Sequence, residues 1–297
     1  MKPAPFAYYA PETLAEALHL LAQFGDEAKL LAGGQSLVPV LNMRLAQPKV
    51  LIDLNRVAGL AYIRDEGHHL AIGAMTRHAA VERSAEVLRR QPLLTEAVSQ
   101  IGHSQIRNRG TIGGSLAHAD PSAELPAVIT ALEGSLVVAG PGGTREVAAH
   151  DFFLMYFTTA LRPGEILTEV RVPVLEAGSG YAFMEVARRH GDFALAGVAC
   201  VLHLTPDGGA VNDARLALTG VGMTPVRAWE AEAVLQGRPP GPQAFAAAAA
   251  AVRNAVAPDD DIHGSGEYRR QLAGVLTERA LRRALARATA AGGGAAS

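Results

Sequence analysis

The segment Leu31-Ala32-Gly33-Gly34-Gln35-Ser36-Leu37 joins a strand-like run to small and hydroxylated residues. A second segment has the same chemistry: Gly110-Thr111-Ile112-Gly113-Gly114-Ser115-Leu116. Glycine lets the backbone turn at positive φ and approach a ligand without a Cβ in the way. Adjacent N–H groups in such a turn form a concavity that holds a phosphate. One such segment is a weak signal, but two together predict a diphosphate held from both sides.

The residues around the first segment predict a β–α–β unit. Ala28–Leu31 is expected to form a buried strand, and Val50–Leu54 is expected to form another. Between them, Ser36 is a candidate N-cap for an apolar helix over Leu37–Leu45. An amphipathic helix that can end at Gly25 precedes this unit. The first glycine segment therefore lies at a strand-to-helix junction, where anions commonly bind.

Composition bounds the class of protein. A chain of 297 residues that is 49% hydrophobic has room for more than one core, and its formal net charge of −2 offers no basic surface for nucleic acid. No apolar run is long enough to span a bilayer, and the N-terminus lacks the pattern of a secretory signal, so we expect a cytoplasmic protein. The single cysteine, Cys200, excludes an internal disulfide and an iron–sulfur cluster held by this chain alone. It lies in an apolar run and is expected to be a buried, inert thiol.

The rest of the chain divides by pattern. A mixed α+β region follows the first unit, with helices expected over Pro121–Leu132 and Asp151–Ala160. The small, flexible segment 176–180 is the best boundary, and long strands followed by alanine-rich helices come after it. The expected units are a domain over 1–176 with subdomains of about 1–57 and 58–176, a second domain over 177–288, and a disordered tail over 289–297.

Several polar residues allow two interpretations. Neither glycine segment reads G-x-G-x-x-G, and Asp53 matches the acidic partner of a Rossmann site only loosely. Arg107 and Arg109 either neutralise phosphate charge or are solvated turn arginines. Asp120 is better explained as the N-cap of the helix that follows it, and a contact of His118 with a cofactor stays open. The histidines lack the spacing of metal ligands and predict no metal site.

Further motifs run through the chain: Val50-Leu-Ile-Asp-Leu54, Leu70-Ala-Ile-Gly-Ala74, Arg188-Arg-His-Gly-Asp-Phe193 and Glu267-Tyr-Arg-Arg270. Together with the two glycine segments, they resemble the FAD-binding medium subunit of molybdenum hydroxylases, which include carbon monoxide dehydrogenase and the xanthine dehydrogenase family. The resemblance extends over nearly the whole chain. One departure is Phe183-Met-Glu-Val186, because some members have a lysine there.

The resemblance implies an α+β fold: a two-subdomain FAD-binding domain of the vanillyl-alcohol-oxidase (PCMH) type, followed by a smaller α+β C-terminal domain. FAD would be bound non-covalently. Its pyrophosphate would contact Ala32, Gly33, Gly34, Gln35, Ser36 and Leu37 from one subdomain, and Thr111, Gly113, Gly114 and Ser115 from the other. Ile101 would make an apolar contact, Glu124 would lie near the cofactor, and Asp192 and Phe193 would approach the isoalloxazine ring.

The function implied is electron transfer within a heterotrimer, in copies that pair as a dimer of heterotrimers. A small subunit with [2Fe-2S] clusters would deliver electrons to this chain's FAD, and a large subunit would carry the molybdenum cofactor. No catalytic acid or base is expected from this chain. Two alternatives are a stand-alone flavin-dependent oxidoreductase of the same fold and a scaffold subunit that has lost FAD. Substrate and electron acceptor are not fixed by these residues.

Overall fold

The N-terminal sheet carries the first glycine segment. The computed structural model describes residues 1–293 and begins with β1 (Ala7–Tyr9), α1 (Leu14–Phe24), β2 (Ala28–Leu31), α2 (Leu37–Asn42) and β3 (Val50–Asp53). The three strands pair in parallel in the order β1-β3-β2. The predicted β–α–β unit is therefore confirmed, with the first glycine segment between β2 and α2.

Local capping explains where these helices begin and end. Thr13 and Glu16 form a reciprocal capping box at the start of α1, and Gly25 ends the helix at a φ of 50°. The helix α2 is shorter than the predicted Leu37–Leu45, because Arg44 adopts a left-handed φ of 59° that no regular helix contains. The hydroxyl of Ser36 makes no capping hydrogen bond to a described residue.

The middle sheet has five antiparallel strands, which lie side by side in the order Ile63–Asp65, His69–Gly73, Ile166–Pro173, Ser135–Gly140 and Gly143–Ala148. A helix that packs on this sheet, Ile112–His118, begins within the second glycine segment. The elements are β4 (Ile63–Asp65), β5 (His69–Gly73), α3 (His78–Arg83), α4 (Ala85–Arg90), α5 (Pro92–Val98), α6 (Ser104–Arg107), α7 (Ile112–His118), α8 (Glu124–Ala131), β6 (Ser135–Gly140), β7 (Gly143–Ala148), α9 (Ala149–Phe152), β8 (Phe153–Met155), β9 (Thr158–Thr159) and β10 (Ile166–Pro173).

Two helix predictions in this region need correction. The helix expected over Asp151–Ala160 is wrong beyond Phe152, where β8 and β9 form a hairpin. Its aromatic and β-branched residues favour strands, and Phe157 turns at a φ of 52°. The helix expected from Pro121 begins instead at Glu124 with Ala123 as N-cap. The Asp120 carboxylate accepts the N–H of Ser122 at 2.9 Å, so it closes a turn and does not cap the helix.

The C-terminal sheet has four antiparallel strands: β11 (Gly180–Ala187), β12 (Ala194–Leu204), β13 (Val211–Thr219) and β14 (Val226–Arg227). Three helices follow: α10 (Trp229–Leu235), α11 (Pro242–Ala255) and α12 (Gly266–Gly293). The tail predicted over 289–297 overlaps the last residues of α12, and 294–297 lie outside the described residues. Within residues 1–293, every helix is too short or too polar to span a bilayer.

The two faces of the C-terminal sheet have different neighbours. Alternate residues of its strands, such as Val198 and Cys200, pack under α10, α11 and α12, and the Cys200 thiol is fully buried there as predicted. The opposite face, including Phe183 and Ala199, joins the core of the middle sheet. This packing places β12 and β13 against α8, and β11 against α5.

Candidate functional site

The two glycine segments are in direct backbone contact. A Cβ on Gly33 would lie 2.4 Å from the carbonyl oxygen of Arg109 and 2.7 Å from the Cα of Gly110. A Cβ on Gly114 would lie 2.6 Å from Thr111 Oγ1 and 3.3 Å from the Cβ of Ala32. Only glycine permits so close an approach. The structure therefore brings together the two segments that the sequence assigned to one diphosphate.

The first segment leaves its backbone donors open. None of the N–H groups of residues 33–37 donates a hydrogen bond to another residue within 1–293. The segment is held by its own contacts instead, since Gln35 Nε2 donates to Gly33 O at 3.0 Å and Gly34 turns at a φ of 75°. Consecutive unpaired N–H groups are an anion-binding concavity. Ala32–Leu37 is therefore suited to hold a phosphate group.

The second segment is hydrogen-bonded within the protein. The Thr111 hydroxyl caps α7 by accepting the N–H of Gly114 at 3.1 Å. The N–H groups of Ile112, Gly113 and Ser115 donate to the carbonyls of Thr76, Ala74 and Thr111. The two segments are consequently unequal, because the first offers open backbone donors and the second offers a fixed surface with small side chains.

A polar bridge that sequence reasoning missed connects the two segments. The Asn55 amide donates to Ala32 O at 2.9 Å, and the Arg77 guanidinium donates both to Asn55 Oδ1 and to Arg109 O. Arg77 and Asn55 also line a cavity of about 320 Å³. Neither residue lies in a glycine segment or a recognisable motif, so no sequence signal marked them.

Two of the ambiguous residues have structural roles. The Asp53 carboxylate accepts the N–H of Asn55 at 2.9 Å and the hydroxyl of Tyr8 at 2.6 Å, so it orders the turn after β3. Arg107 forms a bidentate pair with Glu82 at 2.9 and 3.0 Å. Arg107 also donates to the carbonyls of Ile101 and Gly102 at 3.1 Å, so it fixes the loop that carries Ile101.

Two histidines near the second glycine segment, His78 and His118, are shielded from solvent. His78 lies beneath Gly110, where a Cβ would approach its Nδ1 to 2.8 Å. Burial lowers the pKa of His78 to about 4, so its imidazole is neutral at physiological pH. His118 packs on Phe157 with ring centroids 5.1 Å apart, and burial lowers its pKa as well. Neither ring supplies positive charge to an anion near neutral pH.

The remaining predicted residues lie where the middle and C-terminal sheets meet. Ile101 is buried, and the loop that follows it carries His103, whose ring lies 5.6 Å from that of His190. Gly191, at a φ of 89°, packs directly on His103. This contact holds the hairpin between β11 and β12 against the Ile101 loop. Phe193, at the end of the hairpin beside Asp192, is 58% exposed.

Two carboxyl groups with raised pKa values, those of Glu124 and Glu185, lie close to this junction. Glu124 is the first residue of α8 and is almost fully buried. Burial raises its pKa to about 7, with a smaller contribution from Asp120. Burial, and secondarily the charge of Glu124, raises the pKa of Glu185 on β11 to about 8. The sequence marked Glu185 only as part of a segment without lysine, since strand alternation alone does not say which face meets another sheet.

We expect Glu185→Gln to change how stability depends on pH. From about pH 4.3, where an unfolded glutamate ionises, to pH 8, the folded protein keeps a proton that the unfolded chain releases. This carboxyl's contribution to stability is therefore present at low pH and is lost as pH rises through 8. In urea unfolding, the variant should gain up to about 4 kcal/mol over the parent between pH 5 and pH 9. A difference between variant and parent that is independent of pH would contradict this assignment.

Two family models match the chain. Residues 4–175 match the model described as FAD binding domain in molybdopterin dehydrogenase. Residues 181–284 match the model described as CO dehydrogenase flavoprotein C-terminal domain. The junction between the two matches falls between β10 and β11, where the middle sheet ends and the C-terminal sheet begins.

Known proteins share this sequence and fold over almost their full length. The 6-hydroxypseudooxynicotine dehydrogenase complex subunit alpha of Paenarthrobacter nicotinovorans is 45% identical over 97% of this chain and 97% of its own. The carbon monoxide dehydrogenase medium chain of Hydrogenophaga pseudoflava is 42% identical over 97% of this chain and 99% of its own. A solved structure of carbon monoxide dehydrogenase from Hydrogenophaga pseudoflava contains a chain that superposes with a TM-score of 0.94 at 45% identity, covering 97% of this chain and 99% of that one.

Proposed function

The chain belongs to the FAD-binding subunits of the molybdopterin dehydrogenase family, and from this membership we propose that it transfers electrons within a molybdenum hydroxylase complex. It would accept electrons from iron–sulfur clusters of a partner subunit and pass them to an external acceptor. The strongest support is the row of N–H groups at residues 33–37 that have no protein acceptor within 1–293. The second glycine segment lies in direct contact with this row. That arrangement suits a dinucleotide cofactor.

The residues present fit FAD. We assign the pyrophosphate to Ala32, Gly33, Gly34, Gln35, Ser36 and Leu37 on one side, and to Thr111, Gly113, Gly114 and Ser115 on the other. Ile101, Glu124, Asp192 and Phe193 are assigned to the flavin end. FAD bound non-covalently there would supply the electron exchange that side chains cannot supply. This chain's own residues bind and orient the cofactor, and the exposed Phe193 limits access to it.

Partners and domain limits follow from the same premise. We propose a small iron–sulfur subunit and a large subunit with the molybdenum cofactor, in a dimer of heterotrimers. The names of the relatives support a multisubunit assembly, since one is a complex subunit and another a medium chain. We assign FAD binding to 1–176, with subdomains of about 1–57 and 58–176, and the flavoprotein C-terminal domain to 177–288.

The test is a visible absorption spectrum of the tagged chain captured gently from its native host. We expect flavin bands superimposed on broad iron–sulfur absorbance, with iron and molybdenum in constant ratio to flavin across the eluted peak. Flavin bands without iron would contradict the electron-transfer assignment and favour a stand-alone flavin oxidoreductase. A colourless protein would contradict FAD binding itself.

A further inference from the structure

The Arg77 side chain crosses from the second glycine segment toward the first. Its backbone belongs with the second segment, because Arg77 pairs with Thr111 in an antiparallel bridge. Its guanidinium donates to the carbonyl of Arg109, next to that segment, and to Asn55 Oδ1. Arg77 is therefore anchored on the second segment and reaches the first segment by way of Asn55.

Asn55 lies on the first segment's side of this contact. It follows β3, whose last residue, Asp53, is paired with Leu31 at the end of β2. The Asp53 carboxylate accepts the backbone N–H of Asn55 at 2.9 Å and also its side-chain amide. The same amide donates to the carbonyl of Ala32 at 2.9 Å. Asn55 is therefore held beside the peptide bond that joins Ala32 to Gly33.

The Arg77 guanidinium determines which way the Asn55 amide points. A guanidinium has donors only, so it holds the oxygen of the amide toward itself. The nitrogen of the amide then faces the carbonyl of Ala32, to which it donates. A reversed amide would place its oxygen against the Ala32 oxygen and its nitrogen against the guanidinium, and both contacts are repulsive. Arg77 therefore acts on Ala32 through Asn55.

The bond to the Ala32 carbonyl orients a donor of the phosphate site. In a trans peptide, the C=O of one residue and the N–H of the next point in opposite directions. The peptide bond between Ala32 and Gly33 is trans, so the Gly33 N–H is directed away from Asn55. That N–H has no acceptor within 1–293. Asn55 thus fixes the direction of an N–H group that is open to a ligand.

The charges around this bridge also suit an anion. Both hydrogen bonds of the Arg77 guanidinium go to uncharged oxygens. Burial, and secondarily the charge of Arg109, lowers the pKa of Arg77, while the Asp53 carboxylate opposes this effect. A further anion close to such a group favours its charged form. A diphosphate between the segments would therefore stabilise the bridge that orients its donors.

We propose, on the premise of the FAD site above, that Arg77 and Asn55 are positioning residues for the FAD diphosphate. Arg77 holds the two glycine segments at a fixed spacing, and through Asn55 it sets the direction of the Gly33 N–H. This role requires no contact between either side chain and the cofactor. The bridge orders the donor before FAD arrives, so that less ordering has to accompany binding.

The test is titration of the full chain, freed of flavin, with FAD, comparing the parent with Arg77→Lys. Lysine keeps the positive charge, but its ammonium does not reproduce the planar fork with which a guanidinium holds two acceptors. We expect FAD affinity to fall about tenfold. The matched control is Arg56→Lys, the same exchange at an exposed arginine next to Asn55 in the chain, which should keep the parent affinity.

A second readout separates positioning from a general loss of stability. With FAD at saturation, amide hydrogen exchange at Gly33 should be faster in Arg77→Lys than in the parent. Exchange at Gly113 should be the same in both, because its N–H donates to the carbonyl of Ala74 at 2.9 Å within the protein. Equal acceleration at both glycines would mean that the variant is loosened throughout, and would overturn the positioning role.

Equal FAD affinity in the parent and in Arg77→Lys would also overturn the proposal and leave the FAD assignment intact. Absence of FAD binding by the parent would instead overturn the proposed function. If Arg77→Lys does not fold, Asn55→Asp decides, because a carboxylate still accepts from Arg77 but cannot donate to Ala32. Affinity at least about tenfold below the parent, in salt that screens the added charge, supports the bridge. Parent affinity in Asn55→Asp overturns it.

Discussion

A Gly33→Val variant is expected to lose FAD, with affinity at least about 100-fold below the parent, a change of about 2.7 kcal/mol. The new side chain would meet the Arg109 carbonyl at 2.4 Å and the Gly110 Cα at 2.7 Å, and backbone atoms cannot rotate away. The two glycine segments would have to separate, which removes one side of the pyrophosphate site. Flavin absorbance per protein after desalting, and titration of the apoprotein with FAD, measure the loss.

The matched control for this loss is Gly142→Val. A Cβ on Gly142, in the turn between β6 and β7, meets nothing within 4 Å, so this variant should keep its flavin. Trp229, the single tryptophan of the chain, lies in α10 and its fluorescence reports on the C-terminal sheet. That signal should be unchanged in Gly33→Val. Full flavin occupancy in the Gly33 variant would refute the placement of the pyrophosphate between the segments.

A Gly180→Ala variant is expected to destabilise the C-terminal sheet by about 3 kcal/mol or more. Gly180 begins β11 directly beneath α12, where a Cβ would lie 1.8 Å from the carbonyl oxygen of Ala284 and 2.5 Å from its carbonyl carbon. The helix must move away from the strand, which also disturbs the pairing of Arg287 with Glu96 at 2.6 Å. Urea unfolding followed by Trp229 fluorescence measures the effect.

The control for this second variant adds the same methyl group where there is room. Gly142→Ala should unfold within a few tenths of a kcal/mol of the parent, because its side chain would point into open space. Equal stability of the Gly180 and Gly142 variants would mean that α12 does not rest on β11 as described.

Elements set by local chemistry could be predicted from the sequence. The strand expected over Ala28–Leu31 is β2 as found, and Gly25 ends α1 as expected, because both follow from hydrophobic pattern and capping. The helix expected over Asp151–Ala160 was wrong because aromatic and β-branched residues there pair across a hairpin. A tertiary contact also fixes this hairpin, since the N–H of Phe157 donates to the carbonyl of Ala119 at 3.2 Å.

Some features of the candidate site could likewise be predicted from the sequence, and others could not. The glycine segments could be recognised from their composition. Their mutual contact could not, because it depends on packing between two sheets that are far apart in sequence. Asn55 and Arg77 are ordinary turn residues until the fold places them between those segments. Glu185 likewise becomes notable only because it shares a face of β11 with Phe183, which packs on the middle sheet, and the sequence alone does not state that strand orientation.

The unequal hydrogen bonding of the two glycine segments bears on whether the chain folds before or after it binds FAD. The second segment can reach its final conformation as the chain folds, because its amides find protein acceptors. Residues 33–37 must wait for a ligand or for solvent to satisfy theirs. We therefore expect the apoprotein to fold before FAD binds, with faster amide exchange at residues 33–37 than at residues 112–115. A cell short of flavin would then accumulate folded, rescuable subunits rather than misfolded ones.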